Sequence, residues 1–563
     1  MSPAAVRVGA SVHCPPEPSR SDRRVQPYVA EEFSAGERAV LAHRVTNVDE
    51  PVFALTNLPE VVKGALFARY SRSRKSLRRL LLDEFASDLG DGAAAAPPDQ
   101  SATRAGRLYD RIFLEYGDDS VAQLGGAHVA VEQASNVLTK VLEWGRLGAY
   151  LEQSTRYMAY DDKPGGRYRY YRDPDVLASP HGAAYVAELD AVFDAYAGLF
   201  GPLTAWARER FPRDETTSEA VHRNAVAAKV CDVLRGLLPA ATVSNVGIFA
   251  SGQAYEQLLL RLRGHELAEA RHVGDRMLRA LREVIPSFLV RVDRPDRGGV
   301  WTDYLSSTRA GTRAVAAELL AGVEPAATDD VTLTSFSRDA EVELVTGMLY
   351  PHSRLPETQL RALVAAMPAE DRLRVVRAYA GERTNRRHKP GRALERVSYR
   401  FDVCSDYGAF RDLQRHRMLT VEWQELGPHH GYETPAEIDE AGVSQVWHRT
   451  MARQAALWER LHPDLPRQAQ YAVGFAWRIR YSMQLNARAA MQMLELRTTP
   501  QGHPSYRRIC QRMHELIATG AGHPAVAEMM RFVDHGTSEL ERLDAERAQE
   551  ARRSGQAVAP TRP

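Results

Sequence analysis

From Phe475 to Leu485 every second residue is apolar: Phe475, Trp477, Ile479, Tyr481, Met483 and Leu485, with polar or small residues between them. A period of two sustained over that length specifies a β-strand with one buried face. Asn486 follows as a helix N-cap. From Ala487 to Ile517 the apolar residues then recur at three- and four-residue spacing, broken at Pro500 to Gly502, which is the pattern of helix. A shorter alternation, Val397, Tyr399, Phe401 and Val403, predicts a second strand. Helical periodicity also marks His181–Phe211 and Ala254–Val284. The fold class is therefore α+β and rich in helix.

The order of these signals occurs twice. Before the breaker Ala321–Thr332 come an alternating stretch (Ala127, Val129, Val131), a helix leading to Ser154, a long helical region, "LLPAATVSNVGIFAS", and a helix carrying "LRLRGHELAEAR". After it come "LERVSYRFDV", a helix leading to Arg415-His416-Arg417, a helical region, the long strand, and a helix carrying "LELRTTPQGHPSYRR". The spacings differ, which predicts a diverged tandem duplication with insertions. Each half should form an antiparallel sheet flanked by long helices. The expected organisation is a flexible extension over 1–34, a first domain over 35–320, a linker over 321–330, a second domain over 331–545 and a flexible tail over 546–563. At 563 residues the chain exceeds one ordinary core, as two domains require.

Lys and Arg number 73 against 72 Asp and Glu, so there is no bulk charge for nucleic acid or an acidic membrane surface. No apolar run reaches membrane-spanning length. Four cysteines, Cys14, Cys231, Cys404 and Cys510, form no C-x-x-C pair, so neither a disulfide framework nor a structural metal is expected, and a cytoplasmic setting fits.

The arginines cluster locally. Arg415, His416 and Arg417 are consecutive, and three consecutive residues fan around most of a helix. One of them would then be buried, and burying an unpaired charge is costly. An anionic ligand resolves this, since guanidinium binds phosphate with two prongs; a solvated helix face is the bland alternative. Ser154 and Arg156, two residues apart, are able to grip one phosphate. Arg235 is a further candidate cation. Asn486 and Arg488 open the helix on which Arg497 lies about three turns further on.

Together, "RHR" after a strand and short helix, "E-x-S-x-R-Y", "R-x-LLP", and "NAR" followed nine residues later by arginine resemble the flavin-dependent thymidylate synthases over most of both halves. The resemblance implies a protein that binds FAD, dUMP, NADPH and methylenetetrahydrofolate and methylates C5 of the uracil ring without a cysteine nucleophile. Family members assemble as homotetramers with active sites shared between subunits, which for a duplicated chain implies a homodimer forming a pseudo-tetramer. Residue by residue, it implies that Arg415, His416 and Arg417 bind FAD, with Asn486 and Arg488 near the flavin. Glu152, Ser154, Arg156 and Arg235 would hold the pyrimidine nucleotide, the last three its phosphate. Arg497 would be catalytic, stabilising charge on the uracil carbonyl.

The departures are complementary. In the first half Trp144, Gly145 and Arg146 stand where Arg-His-Arg is expected, with Arg261 or Arg263 at the Arg497 position. In the second half Glu425, Leu426 and Gly427 replace Ser-x-Arg, and Gln470 replaces the cation before "LP". A family histidine falls at Asp118 or Asp119 in the first half, and in the second half only His388 and Lys389 are nearby. Each half would keep a different part of one shared site. The alternatives are altered flavin-dependent chemistry on another pyrimidine nucleotide, or a non-catalytic flavin- or nucleotide-binding relative.

Overall fold

The computed structural model describes residues 31–70, 73–85, 123–537, 539–540 and 542–553. Contacts divide the chain into two compact units, Met1–Val121 and Ala122–Pro563. In the first unit the helix Ala35–Ala42 begins at a capping box in which Ser34 and Glu37 satisfy each other's backbone donors. Arg79 ties Glu31 and Glu37 to the same region, and Phe33 is buried. The expected flexible extension thus gives way to ordered backbone by Glu31; its remainder, 1–30, lies outside the described residues.

Among its described residues the second unit holds two antiparallel sheets and a majority of helix. In the first sheet, β1 (Gly126–Ser135), β2 (Ala149–Glu152) and β3 (Val243–Ser251) run in the order β1-β3-β2. Ser135 ends β1 and caps helix α1 (Asn136–Leu142) by accepting from the Leu138 N–H. Helices α2 (Gly182–Gly198), α3 (Phe200–Arg210) and α4 (Glu219–Leu234) lie between β2 and β3. Ser251 ends β3 and caps α5 (Gly252–Arg263), and α6 (Ala268–Arg282) and α7 (Val300–Leu319) follow.

The second sheet repeats this arrangement with one added edge strand. Its strands β4 (Val331–Phe336), β5 (Ser398–Asp406), β6 (Leu419–Trp423) and β7 (Arg478–Asn486) run in the order β4-β5-β7-β6. Asp406 ends β5 and caps α8 (Tyr407–Gln414). After β6 comes α9 (Ser444–Leu461), and Asn486 ends β7 and caps α10 (Ala487–Arg497), with α11 (Pro504–Glu515) behind it. Among the described residues a strand that hands its last residue to a helix as a cap therefore occurs four times, because Ser, Asp and Asn offer a side-chain acceptor to the first free N–H groups. The alternation read as a strand from Phe475 is strand from Arg478; Phe475 belongs to the preceding turn and Trp477 makes an isolated antiparallel bridge with Tyr432. Along β7, Ile479, Tyr481, Met483 and Leu485 are at most 2% exposed. Each contributes at most about 1.5–3 kcal/mol of burial.

From Ala134 onward the registers align the two sheets without a gap, a bulge between Val131 and Ala134 shifting the earlier part of β1 by one residue. Ala149 pairs with Phe249 and Thr420 with Gln484, each partner two residues before a helix cap. The separations 149 − 135 and 420 − 406 are both 14, so Trp144, Gly145 and Arg146 occupy the positions of Arg415, His416 and Arg417. Arg497 lies eleven residues after Asn486, and eleven after Ser251 stands the buried Leu262. Neither Arg261 nor Arg263 holds the Arg497 position; they flank it.

The two sheets are joined by backbone. Ala241 donates to the Tyr471 carbonyl and Ala476 to Gly236; Ala240 donates to Val473 and Phe475 to Leu238. Adding 235 to the first-half residue of each bond gives the second-half residue of its paired bond, so the joint has an internal two-fold relation. Glycine is required there: a Cβ on Gly236 would lie 2.7 Å from the Trp447 ring, and one on Gly474 would lie 2.8 Å from the Gly236 carbonyl oxygen.

The tail expected to be flexible from residue 546 is instead helical as far as the described residues extend. Helix α12 (Leu543–Arg553) packs on α4, and Arg547 donates to Thr217 at 3.0 Å and pairs with Asp214. Ala321–Asp330 is exposed throughout. Among the described residues no helix is long and apolar enough to cross a membrane, and no cluster of His, Cys, Asp or Glu is placed to hold a metal.

Candidate functional site

Every residue of α8 is buried, so its polar side chains have to satisfy one another. Arg411, Asp412 and Arg415 fall at helical spacing, and Arg415 is the C-cap residue. Asp412 pairs with Arg415, with Arg235 from the end of α4 at 3.3 Å, and with Arg497 from the end of α10 at 3.5 Å. Burial opposes ionisation of Asp412, yet Arg415, Arg497 and Arg235 hold its carboxyl well below the usual carboxylate range. Arg497 also donates Nη2–H to the Asp412 carbonyl at 2.6 Å and Nε–H to His416 Nε2 at 2.8 Å. His416 therefore accepts at Nε2 as neutral imidazole. Burial, then Arg497 and Arg415, push it down to about 3.

The first half supplies the other wall. Glu152, at the end of β2, accepts from Arg411 at 2.8 Å and lies 3.7 Å from Arg415 and 3.4 Å from Lys140. Burial would raise its carboxyl, but Arg411, Lys140 and Arg415 outweigh that and bring it to about 2. After β2 a turn carries Ser154 and Arg156. Ser154 Oγ accepts from the Arg156 N–H. Arg156 grips Asp232 of α4 through Nε and Nη2, both at 2.7 Å, and donates Nη1–H to the Tyr506 hydroxyl at 2.9 Å. Both Arg156 and Arg497 lie over the Tyr506 ring, at 5.7 and 5.5 Å. Asp232 is fully buried, which opposes its charge, but Arg156 holds it at about 2.

The residues singled out from the sequence thus separate into two groups. Glu152, Arg156, Arg235, Arg415, His416 and Arg497 form one connected cluster drawn from both halves. Ser154 lies on its edge, on the same turn as Arg156. Arg417 donates to the Gly148 carbonyl at the start of β2. Asn486 spends its side-chain oxygen on capping α10, and Arg488, at the far end of that helix from Arg497, pairs with Glu395 and the Pro390 carbonyl. Asp118 and Asp119 lie outside the described residues. The sequence reading passed over the carboxylates Asp412, Asp232 and Glu143, the cations Lys140 and Arg411, and Tyr506. Asp412 alone carried a signal: it precedes the Arg-His-Arg by one helical turn.

Cations outnumber carboxylates here. Lys140, Arg156, Arg235, Arg411, Arg415 and Arg497 face Glu143, Glu152, Asp232 and Asp412. Arg235 Nη2 and Arg411 Nε are buried without a hydrogen-bond partner among the described residues. A region with net positive charge and unused guanidinium donors suits a phosphorylated ligand. Beside it opens a cavity of about 530 Å³ whose walls include Asp232, Arg235, Trp447, Phe475 and His503.

The corresponding position across the two-fold relation is different. Trp144 donates to the Val421 carbonyl, meets Trp423 edge-on at 5.8 Å and carries Arg261 over its ring. Arg146 donates to Thr420, and Glu425 pairs with Arg467 and lies 3.8 Å from Arg313. Among the described residues, no arginine triplet or Ser-x-Arg turn faces this second locus.

The family described as thymidylate synthase complementing protein matches residues 65–287 and 339–521. The chain belongs to this family. A UPF0159 protein of Chlamydia pneumoniae is 38% identical over 525 residues, covering 92% of this chain and 98% of that protein. One from Thermoplasma acidophilum is 30% identical over 514 residues, covering 86% and 97%. Among solved structures, a UMP/dUMP methylase PolB from Streptomyces cacaoi bound with 5-Br dUMP is 18% identical, with a TM-score of 0.28, covering 36% of this chain and 97% of that one. Family membership makes the chain thymidylate synthase-like.

Proposed function

We propose that the chain is a tandem-duplicated flavin-dependent methylase of a pyrimidine nucleotide, with dUMP as substrate and one composite site per chain. The observation that carries this reading is the convergence of Glu152, Arg156 and Arg235 from one half with Arg415, His416 and Arg497 from the other around Asp412. The two half-motifs retained by the sequence are parts of one cluster, as a site shared between repeats requires.

In this reading Arg156, Ser154 and Arg235 hold the nucleotide phosphate, and Arg415 and Arg417 hold the phosphates of FAD. FAD, when bound, supplies the redox chemistry, with NADPH as reductant and methylenetetrahydrofolate as carbon donor. The protein's own contribution is orientation and charge. Arg497 is held by His416 and the Asp412 carbonyl on one side and the Tyr506 ring on the other. A guanidinium fixed in this way stabilises charge that develops on a uracil carbonyl without reorganising. Neutral His416 keeps Arg497 aimed through Nε2 and adds no charge of its own. The buried thiols of Cys231, Cys404 and Cys510 take no part. Two chains would form a pseudo-tetramer.

The test is flavin retention and nucleotide binding in the purified protein. The wild type should be yellow and bleach under NADPH. Replacing both Arg415 and Arg417 with alanine should abolish retention, since two charge-assisted contacts of about 1.5–3 kcal/mol each are lost, whereas Arg146→Ala should matter much less. A colourless wild type that takes up no FAD would leave a non-catalytic relative as the reading.

A further inference from the structure

We propose that Arg542 is an additional cation of the phosphate clamp, delivered by the segment that follows the second repeat. The inference rests on the nucleotide reading above, and it places in the site a residue beyond the segments that match the family, which end at 521. Arg542 is 4% exposed. It donates Nη1–H to the backbone carbonyl of Arg156 at 3.0 Å and lies 3.9 Å above the Tyr157 ring, so it is fixed on the turn that carries Ser154 and Arg156. Its Nη2 stands 3.3 Å from both oxygens of Asp232.

A structural role alone does not account for this placement. Arg156 already engages both oxygens of Asp232 at 2.7 Å, and one guanidinium neutralises one carboxylate. The second guanidinium leaves a buried positive charge in excess, which is costly unless an anion compensates it. Among the described residues Arg542 Nε is moreover buried with no partner. Excess charge and an unused donor on the turn of a candidate phosphate clamp point to a phosphate monoester, for which two arginines give more complete compensation than one. Helix α12 anchors the residue through Arg547, which holds Asp214 and Thr217 just ahead of α4.

The experiment uses the full chain and measures affinity for dUMP, deoxyuridine and inorganic phosphate in the wild type, Arg542→Ala and Arg542→Lys. Loss of one charge-assisted contact should weaken dUMP and inorganic phosphate about ten- to a hundredfold in Arg542→Ala. Deoxyuridine, which has no phosphate, should bind as before, and Arg542→Lys should recover part of the loss. Equal weakening of dUMP and deoxyuridine would mean that Arg542 only props up the turn and would overturn the proposal, as would unchanged binding of all three. If Arg542→Ala fails to fold, the comparison of dUMP with deoxyuridine in Arg542→Lys decides, because an imperfect cation still penalises the phosphate alone. A wild type that binds inorganic phosphate through Arg542 but not dUMP would refute the nucleotide reading and leave this one standing. A wild type indifferent to inorganic phosphate would refute this one.

Discussion

Replacing Asp412 with asparagine keeps the shape of the side chain and removes the one negative charge that Arg235, Arg415 and Arg497 share. The carboxylate side chain is 9% exposed. At 3.5 Å a unit pair is worth roughly 5 kcal/mol at an effective dielectric of 20, and the cost of desolvating both partners offsets most of it. Breaking a buried pair by neutralising one member costs about 3–5 kcal/mol, and here Arg235 and Arg497 lose their carboxylate at once while Arg415 keeps only Glu152 at 3.7 Å. Asp412→Asn should therefore destabilise the second unit by about that amount, read as a lowered urea midpoint followed by tryptophan fluorescence. It should also leave a site hungry for anions. Millimolar phosphate or dUMP should restore a larger share of stability to the variant than it adds to the wild type, because the ligand supplies the missing charge. A variant as stable as the wild type, or equal stabilisation of both by phosphate, would refute the view of Asp412 as the shared counter-charge.

The His416 imidazole, whose folded value is pushed down to about 3 against 6.5 in the open chain, predicts a pH dependence. The unfolded chain binds a proton that the folded one refuses. The contribution of His416 is thus fully present above pH 6.5 and is lost progressively as pH falls toward 3. His416→Gln should flatten the acid limb of the stability curve in that window, and an unchanged limb would count against a neutral buried imidazole. At the joint, Gly236→Ala should cost about 1–3 kcal/mol by overpacking against Trp447, measured by thermal unfolding; a neutral outcome would mean that the joint has slack.

The strands were legible because period-two alternation leaves little choice, and the β7–α10 handover even shows its cap. The boundary at Phe475 was misread because a buried turn is as apolar as a buried strand, and alternation does not report backbone pairing. Helix α12 was missed for the opposite reason: "LERLDAERAQEARR" has little apolar periodicity, and its partners are α4, on which it packs, and Asp214 and Thr217 ahead of α4, which no local pattern reveals. In the site, the cations stood out because arginines beside one another are conspicuous. Their counter-charges did not. Asp232, Glu143 and Asp412 lie far apart in the chain, and single carboxylates are common everywhere. Asn486 and Arg488 were placed near the flavin by resemblance, and the cap and the Glu395 pair account for their side chains without a ligand.

The backbone joint between residues 236–241 and 471–476 has a consequence for how the chain is made. The donors and acceptors of the first edge are complete once residue 241 has been synthesised, but their partners arrive 235 residues later (471 − 236). At about 5–20 residues per second, that edge waits roughly 10–50 s on the ribosome with its main-chain groups unpaired. During that interval its best available partner is the same edge, or the later one, on a neighbouring nascent chain. Translation speed through the second half, and the crowding of ribosomes on one message, therefore set how often two chains exchange halves before each finds its own.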